Sequence, residues 1–162
     1  MIEKNGIAAF ELYKQEFPES ETTLLKPKAI IECYKEIPCN PCETSCPFDA
    51  IKIGEDINVR PQIDFDKCTG CGICAYSCPG LAISIRTLKK DSKKAEMKFP
   101  YEFSKRPDIN QMINIVNRAG KVITQGRVIN VIDKPRQNKT ALIHVEMDEA
   151  YLYDAATVEV QL

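Results

Sequence analysis

The chain has 162 residues, of which 22 are lysine or arginine and 23 are aspartate or glutamate, so its formal net charge is −1. That length allows one or two small domains, and the near-neutral charge argues against a nucleic-acid-binding protein. No apolar stretch approaches the ~20 residues that span a bilayer, and the first residues lack the apolar core of a signal peptide. The sequence therefore predicts a cytoplasmic protein with no membrane span.

Residues 1–28 are predicted to form a lead-in segment that contains one short helix. Four apolar residues recur there at helical spacing: Ile7, Phe10, Tyr13 and Phe17. Pro18 disfavours a longer helix. Such a helix would either cap the core of the following domain or bind a partner.

All eight cysteines lie between residues 33 and 78. The last four, followed by a proline, form a C-x2-C-x2-C-x3-C-P run, the binding pattern of bacterial iron–sulfur proteins: Cys68, Cys71, Cys74, Cys78 and Pro79. Three closely spaced thiolates can hold three corners of one cluster, while the fourth points toward a second cluster. Structural zinc needs four ligands on one ion, usually from two separated pairs. The run therefore indicates iron–sulfur clusters rather than zinc.

The cysteine region is an internal repeat, in which an earlier copy of the pattern precedes the complete run. When the chain is shifted so that Cys39 falls on Cys71, Cys42 and Cys46 fall on Cys74 and Cys78. The same shift brings Ile31 onto Ile63 and Lys35 onto Lys67. The repeated unit is predicted to be a strand, a ligand loop, a short helical turn and a strand. The predicted strands lie at 51–53, 63–65 and 83–86, and the clearest helical turn lies at 72–77.

Residues 29–88 resemble the two-cluster bacterial ferredoxins in these cysteine runs. In that family the fourth cysteine of each run ligates the cluster of the other run. The resemblance implies two 4Fe–4S clusters. Cluster A would be held by set A, which comprises Cys46, Cys68, Cys71 and Cys74, and cluster B by Cys39, Cys42, Cys78 and one further ligand.

The remaining ligand of cluster B is where the chain departs from the family pattern. Glu36 stands where a cysteine is expected, and Cys33, three residues earlier, is the one cysteine left over. We predict that Cys33 completes set B with Cys39, Cys42 and Cys78 through a longer loop. A three-iron cluster, a four-iron cluster completed by an oxygen of Glu36, and a free buried thiol at Cys33 stay open as alternatives.

The two ligand loops also differ in backbone chemistry. Gly70 and Gly72 flank Cys71 and allow amide groups to approach the cluster closely, whereas Pro38 and Pro41 flank Cys39–Cys42 and remove two amide donors. Hydrogen bonds to cluster sulfur shift the reduction potential. The two clusters are therefore predicted to differ in potential.

The rest of the chain predicts a charged linker and a β domain. Residues 89–98 contain five lysines and are predicted to be a solvated linker, or a docking patch for an acidic partner. Residues 99–162 contain β-branched runs at 112–117, 122–125, 128–133, 140–147 and 157–160, separated by turn signals. The fold class is thus α+β, with a dicluster ferredoxin-type domain followed by a small antiparallel, barrel-like β domain.

A narrower resemblance suggests a function. The segment at 31–43, IECYKEIPCNPCE, and the later CPGLAI at 78–83 are similar to small dicluster subunits that accompany FAD-dependent amino-acid and imino-acid dehydrogenases of the proline, hydroxyproline, sarcosine and opine type. This resemblance implies a hetero-oligomer in which the chain takes single electrons from a reduced flavin and passes them on. The flavin, FAD or FMN, would belong to the partner chain only.

Two other functions stay open. The chain could be a free-standing dicluster ferredoxin, or a structural protein that uses clusters only for stability. It contains no dinucleotide-binding or phosphate-binding glycine loop and no histidine near a candidate nucleophile. We therefore predict no catalytic site of its own and a role as the non-catalytic subunit of an oxidoreductase.

Overall fold

The computed structural model describes residues 2–160 and has an α+β fold with nine strands and four short α-helices in that range. The strands are β1 (Lys28–Ile31), β2 (Ile51–Lys52), β3 (Gln62–Ile63), β4 (Ile83–Lys89), β5 (Lys94–Tyr101), β6 (Met112–Val116), β7 (Val122–Ile132), β8 (Ala141–Asp148) and β9 (Thr157–Glu159). The helices are α1 (Ile2–Asn5), α2 (Phe10–Lys14), α3 (Pro41–Thr44) and α4 (Ile73–Ser77). Short 3-10 turns lie at Glu21–Leu25, Lys90–Ser92, Pro135–Gln137 and Glu149–Tyr151.

Seven strands form one antiparallel sheet in the order β1-β4-β5-β8-β7-β6-β9, and β2 and β3 form a separate hairpin. The predicted barrel-like closure is wrong, because within residues 2–160 no ladder joins β1 to β9 and the sheet stays open. The reason is that β4, from the cysteine-rich half, pairs along β5 and brings β1 with it. The sheet is thereby extended instead of closing on itself.

The predicted linker at 89–98 is also wrong, since this segment is a β-hairpin. Lys89 ends β4, a tight turn follows in which Lys93 has a left-handed backbone with φ 52°, and β5 begins at Lys94. The charged residues of β5 alternate with the fully buried Ala95, Met97 and Phe99. Alternation of this kind is the pattern of a half-buried strand. The charged residues therefore lie on one face of a strand and do not indicate a solvated linker.

The division of the chain into separate domains stays a prediction, and its boundary would cut this hairpin.

The predicted strands at 122–125 and 128–133 are one continuous strand, β7, with Gly126 in regular register opposite Ile113. A Cβ at Gly126 would lie 3.0 Å from Ile115 Cδ1. The glycine therefore allows close packing within the strand rather than ending it.

Two faces of the sheet have different roles. One face carries the largest apolar core, to which Met97, Phe99, Ile115, Ile143 and Val145 contribute. The opposite face, at β4, β5 and β8, is covered by α4 and the cysteine loops. The cysteine-rich half is therefore seated on the sheet.

The N-terminal segment covers one end of the sheet. Its helix α2 ends before Pro18, as the sequence predicts, and Tyr13 and Phe17 are buried with Leu88 and Leu152. The segment therefore caps the protein's own core.

Candidate metal centres

The four cysteines of set A surround one cavity. Cys46, Cys68, Cys71 and Cys74 line about 310 Å³ of empty space, with Gly70, Gly72, Ile51 and Ile85 among the other lining residues. Cys74 is buried and Cys71 is exposed, so the cavity has one side near solvent. The grouping coincides with the predicted set, while ligation by these thiols stays a prediction.

The cysteines of set B surround a second cavity of about 390 Å³. Its lining thiols are Cys33, Cys39, Cys42 and Cys78. The rim is mostly apolar and includes Ile37 and Val59, which are 46% and 41% exposed, together with the exposed Lys35. Glu36, the residue at the expected cysteine position, is exposed and lines a neighbouring groove with Glu16 and Arg60 instead. The structure thus brings Cys33, and not Glu36, to the cavity.

The two cysteine sets are interleaved through α3 and α4, which pack against each other. Cys42 of set B lies in α3 and Cys46 of set A follows its end, while Cys74 of set A lies in α4 and Cys78 of set B follows it. Four residues of helix correspond to roughly 6 Å. Each helix therefore connects the two cavities over a short distance.

Glycines and the segment before β1 shape the loop of set A. Gly70 and Gly72 have left-handed backbones, with φ 67° and 87°. A Cβ at Gly70 would lie 2.4 Å from Cβ of Pro27, and one at Gly72 would lie 2.8 Å from Cδ1 of Leu142. Only glycine satisfies both the dihedral angle and the close approach at these positions.

Backbone amides point at three of the thiol sulfurs. The amide of Ala29 donates to Cys68 Sγ at 3.4 Å. The amides of Ala50 and Ala82 donate to Cys46 Sγ and Cys78 Sγ at 3.4 and 3.5 Å. Ala50 and Ala82 coincide under the shift that relates the two halves of the repeat, so the repeat seen in the sequence is also a repeat of hydrogen-bonding geometry.

The thiols within each set affect one another electrostatically. Burial, followed by the charge of Cys78, raises the pKa of Cys42 to about 11. Burial also raises the pKa of Cys33, with Cys78 and Cys39 adding to it, and raises that of Cys74, with Cys68 and Cys71 adding to it. Iron is bound by the thiolate form, so loading must release protons and must offset this cost.

The residues fit two iron–sulfur clusters. Each cavity has four thiol donors, and clusters of the 4Fe–4S type are held by four cysteine thiolates. The hydroxyl of Ser45, next to Cys46, is buried and has no hydrogen-bond partner within the described part of the chain. Across residues 2–160, no three His, Cys, Asp or Glu side chains converge closely enough to hold a single metal ion. The thiols instead line the walls of cavities.

A buried ionic group lies beside Cys33. The Glu32 carboxylate accepts hydrogen bonds from Arg86 at 2.7 Å, from Arg118 through two nitrogens at 2.7 Å each, and from the Tyr34 hydroxyl at 2.8 Å. Arg86 is fully buried, and burial lowers its pKa to about 10 while Glu32 opposes the shift. The group joins β1, β4 and the loop before β7, and it fixes the chain that leads into Cys33.

A comparison with family models identifies the cysteine-rich half. Residues 37–105 match the model described as the 4Fe-4S dicluster domain. The chain carries a 4Fe–4S dicluster ferredoxin domain. This domain holds two 4Fe–4S clusters, in agreement with the two sets of four thiols.

Curated proteins similar to this domain come from several organisms. One is a subunit of the Na(+)-translocating ferredoxin:NAD(+) oxidoreductase complex of Acetobacterium woodii, 46% identical over 57 residues, 35% of this chain and 16% of the relative. A sulfite dehydrogenase subunit of Allochromatium vinosum is 34% identical over 93 residues, 57% of this chain and 35% of the relative. The pyruvate synthase subunit PorD of Methanocaldococcus jannaschii is 40% identical over 57 residues, 35% of this chain and 64% of the relative.

The chain therefore spans less than two thirds of the length of each of these relatives. No solved structure matches the chain significantly. Within residues 2–160, none of the helices has the length and apolar character required to cross a bilayer.

Sequence reasoning missed the basic residues that hold the two cysteine loops. Lys28 Nζ donates to the backbone carbonyls of Phe65 and Cys68, the latter at 2.7 Å, and Arg60 Nε donates to the carbonyl of Cys33 at 2.9 Å. Lys28 and Arg60 coincide under the shift that brings Cys39 onto Cys71, so the repeat could have revealed them. The match also makes Cys33 the structural counterpart of Cys68.

Proposed function

We propose that the protein is an iron–sulfur electron-transfer subunit of an oxidoreductase. The observation that supports this proposal best is the interleaving of two four-thiol cavities through α3 and α4. When bound, 4Fe–4S clusters accept and release single electrons. The chain's own residues hold the two sites a short helix apart, which suits transfer between them better than a purely structural role.

The proposed ligands are set A for cluster A and set B, including Cys33, for cluster B. The placement of Cys33 in its cavity supports this assignment, as does the hydrogen bond from Arg60 to the Cys33 carbonyl. The surrounding residues position these thiols. Amides direct hydrogen bonds to sulfur, and Ile37, Val59, Ile51 and Ile85 give the cavities apolar walls that limit access of water.

The finer proposal is a flavoprotein partner that oxidises an amino or imino acid. It is supported by the similarity of residues 31–43 and 78–83 to the small subunits of such dehydrogenases. The relatives from Acetobacterium, Allochromatium and Methanocaldococcus are named as subunits of oxidoreductases, which supports the subunit role but points to no particular partner. In this proposal the organic oxidation takes place in the partner, and this chain supplies the path for single electrons.

Native purification without oxygen tests the proposal. We expect about eight iron and eight acid-labile sulfide per chain, and stoichiometric recovery with a flavin-containing chain. Addition of amino or imino acids to that complex, but not to the separated chain, should reduce the clusters and change their visible absorbance. A chain recovered alone with eight iron would instead be a free-standing ferredoxin. Clusters that no low-potential reductant can reduce would contradict electron transfer.

A further inference from the structure

Lys28 and Arg60 occupy equivalent places in the two halves of the repeat. Each lies at or just before the start of a short strand, β1 or β3. Each donates a hydrogen bond to the backbone carbonyl of the first cysteine of a set, Lys28 to Cys68 and Arg60 to Cys33. The two basic side chains are therefore matched positioning groups, one for each cluster.

The charges of these two groups are compensated differently. Arg60 forms an ion pair with Glu16, whose side chain is 18% exposed. Lys28 is 7% exposed and has no carboxylate partner within residues 2–160. Among the described residues, its ammonium donates hydrogen bonds to the carbonyls of Phe65 and Cys68 alone. An unpaired positive charge is thus buried beside cluster A. Lys35, the lysine that lines the set B cavity, is instead exposed, so water and salt screen its charge.

The residue that follows each basic residue adds to the difference between the surroundings of the two clusters. Ala29, next to Lys28, donates its N–H to Cys68 Sγ at 3.4 Å. The equivalent residue after Arg60 is Pro61, which has no N–H to donate. The first sulfur of set A therefore receives a hydrogen bond that the proline at the equivalent place cannot supply.

The buried ionic group near Cys33 does not reverse this asymmetry. Arg86 and Arg118 face the single carboxylate of Glu32. Asp154 accepts a hydrogen bond from Tyr13, whose ring lies 3.4 Å from the Arg118 guanidinium carbon. With Asp154 included, two positive and two negative formal charges make the group neutral.

Reduction adds one negative charge to a cluster, and nearby positive charge and N–H donors stabilise that charge. We propose that Lys28 makes cluster A the cluster of higher reduction potential, so that a single electron held by the protein resides on cluster A. This inference rests on the proposed function, and it assigns a direction, from cluster B to cluster A, to electron movement within the chain.

The test is a redox titration of the full-length protein, followed by electron paramagnetic resonance. Lys28→Gln should lower the equilibrium constant for one-electron reduction of cluster A about tenfold, or about 59 mV, with little effect on cluster B. Lys28→Arg keeps the charge and should retain the parental value. Lys26→Gln is the matched control, because it removes the same charge from an exposed residue two positions away. The signal that survives in Cys33→Ser identifies cluster A.

Glu16→Gln provides an independent test of opposite sign in the other cluster. Removing this carboxylate leaves the Arg60 charge uncompensated and should raise the reduction potential of cluster B. The difference between the potentials of the two clusters should then become smaller. If Lys28→Gln fails to take up iron, Glu16→Gln still tests whether an uncompensated basic charge raises the potential of the cluster beside it.

Failure of the inference is distinguishable from failure of the proposed function. With eight iron present, a Lys28→Gln shift no larger than that of Lys26→Gln, or an unchanged cluster B in Glu16→Gln, would overturn the inference alone. A parental protein without iron would overturn the proposed function.

Discussion

Cys33 is the residue at which this chain departs most clearly from a regular two-cluster pattern. The expected position is held by Glu36, which is exposed and lies outside the cavity that the set B thiols line. Three extra residues of loop bring Cys33 to that cavity, and Arg60 holds its carbonyl. A thiol two residues beyond the end of β1 therefore lies at the cavity where the regular pattern would place a thiol of the loop.

We expect Cys33→Ser to remove about four of the eight iron atoms and to spare cluster A, because set A is complete without it. Iron analysis and electron paramagnetic resonance of the reduced protein would show the loss, or conversion to a three-iron signal. Restoring the regular spacing with Cys33→Ser and Glu36→Cys together should recover the iron. Full iron in Cys33→Ser, combined with loss in Glu36→Gln, would make Glu36 the ligand.

Gly70 is expected to be the least replaceable glycine of the cysteine region. An alanine there requires a left-handed backbone, which costs about 1–2 kcal/mol, and its Cβ would meet Pro27 at 2.4 Å. Overpacking adds about 1–3 kcal/mol. The melting temperature and iron content of Gly70→Ala should therefore fall well below those of the parent protein.

Gly120→Ala is the matched control for this loop. Gly120 also has a left-handed backbone, with φ 74°, but a Cβ there would meet nothing within 4 Å. This variant should show only the backbone cost and keep its iron. Equal losses in both variants would mean that contact with Pro27 is unimportant.

The grouping of the cysteines around two cavities could be predicted from the sequence because their spacing is a local feature. The spacing of Cys68, Cys71 and Cys74 restricts what can be bound without reference to the rest of the chain. The repeat marks Lys28 and Arg60 as an equivalent pair, but it does not show which carbonyls they bind. The contacts of Glu32 and Arg86 could not be predicted either, since they depend on which distant groups the fold brings near. A lysine before a strand looks the same in sequence whether it is solvated or buried.

At the scale of elements, strands were predicted more reliably than their connections. The β-branched runs that correspond to β6, β7 and β8 have an alternating pattern, and this local pattern is sufficient to identify them as strands. The prediction of a linker at 89–98 failed because the lysines there are typical of a solvated segment. The apolar residues that alternate with charged ones in β5, which are typical of a strand, were given too little weight. Closure of the sheet could not be predicted from any one strand, since it depends on which strand pairs along β5.

Strand β8 contains a titratable residue, His144, that is largely buried. Its side chain is 17% exposed and lies 3.2 Å from Glu96, because β8 is flanked by β5 and β7. Burial, followed by the charge of Lys98, lowers the pKa of His144, and Glu96 opposes this effect. The folded protein therefore favours the neutral imidazole.

A lowered folded-state pKa means that His144 contributes stability above the usual histidine pKa of about 6.5, and that this contribution is lost as the pH falls through the folded value. We expect the melting temperature of the parent protein to fall more between pH 7.5 and pH 5.5 than that of His144→Gln. Iron content must be measured at both pH values, so that acid loss of clusters is not mistaken for this effect. Parallel pH dependences would show that His144 does not contribute.

At the scale of the whole molecule, the cysteine-rich half and the sheet support each other. Leu142 of β8 packs with Ile85 and Cys74 in one apolar cluster and covers Gly72. β4 pairs with β5 along five residue positions. The half that carries the clusters therefore depends on residues from the other half.

We expect a chain truncated after residue 90 to hold clearly fewer than eight iron atoms and to lose its visible absorbance faster than the full chain. Removal of β5 and β8 leaves β4 without a partner on one side and uncovers the set A loop. A chain ending at residue 156 loses only β9, which pairs with β6 at the far edge of the sheet, and should keep its iron. Full iron content in the shorter chain would instead support a separately folding unit at 29–88.

The cover that Leu142 places over Gly72 also has a consequence for synthesis of the chain. Leu142 comes long after Cys78, the last of the thiols, in the order of translation. At about 5–20 residues per second, the ribosome needs about 3–13 s to pass from one to the other. During this interval all eight thiols have been synthesised, but Leu142, which covers the set A loop, has not. The proteins that deliver iron and sulfide therefore have a period of access to the thiols before the sheet covers this loop.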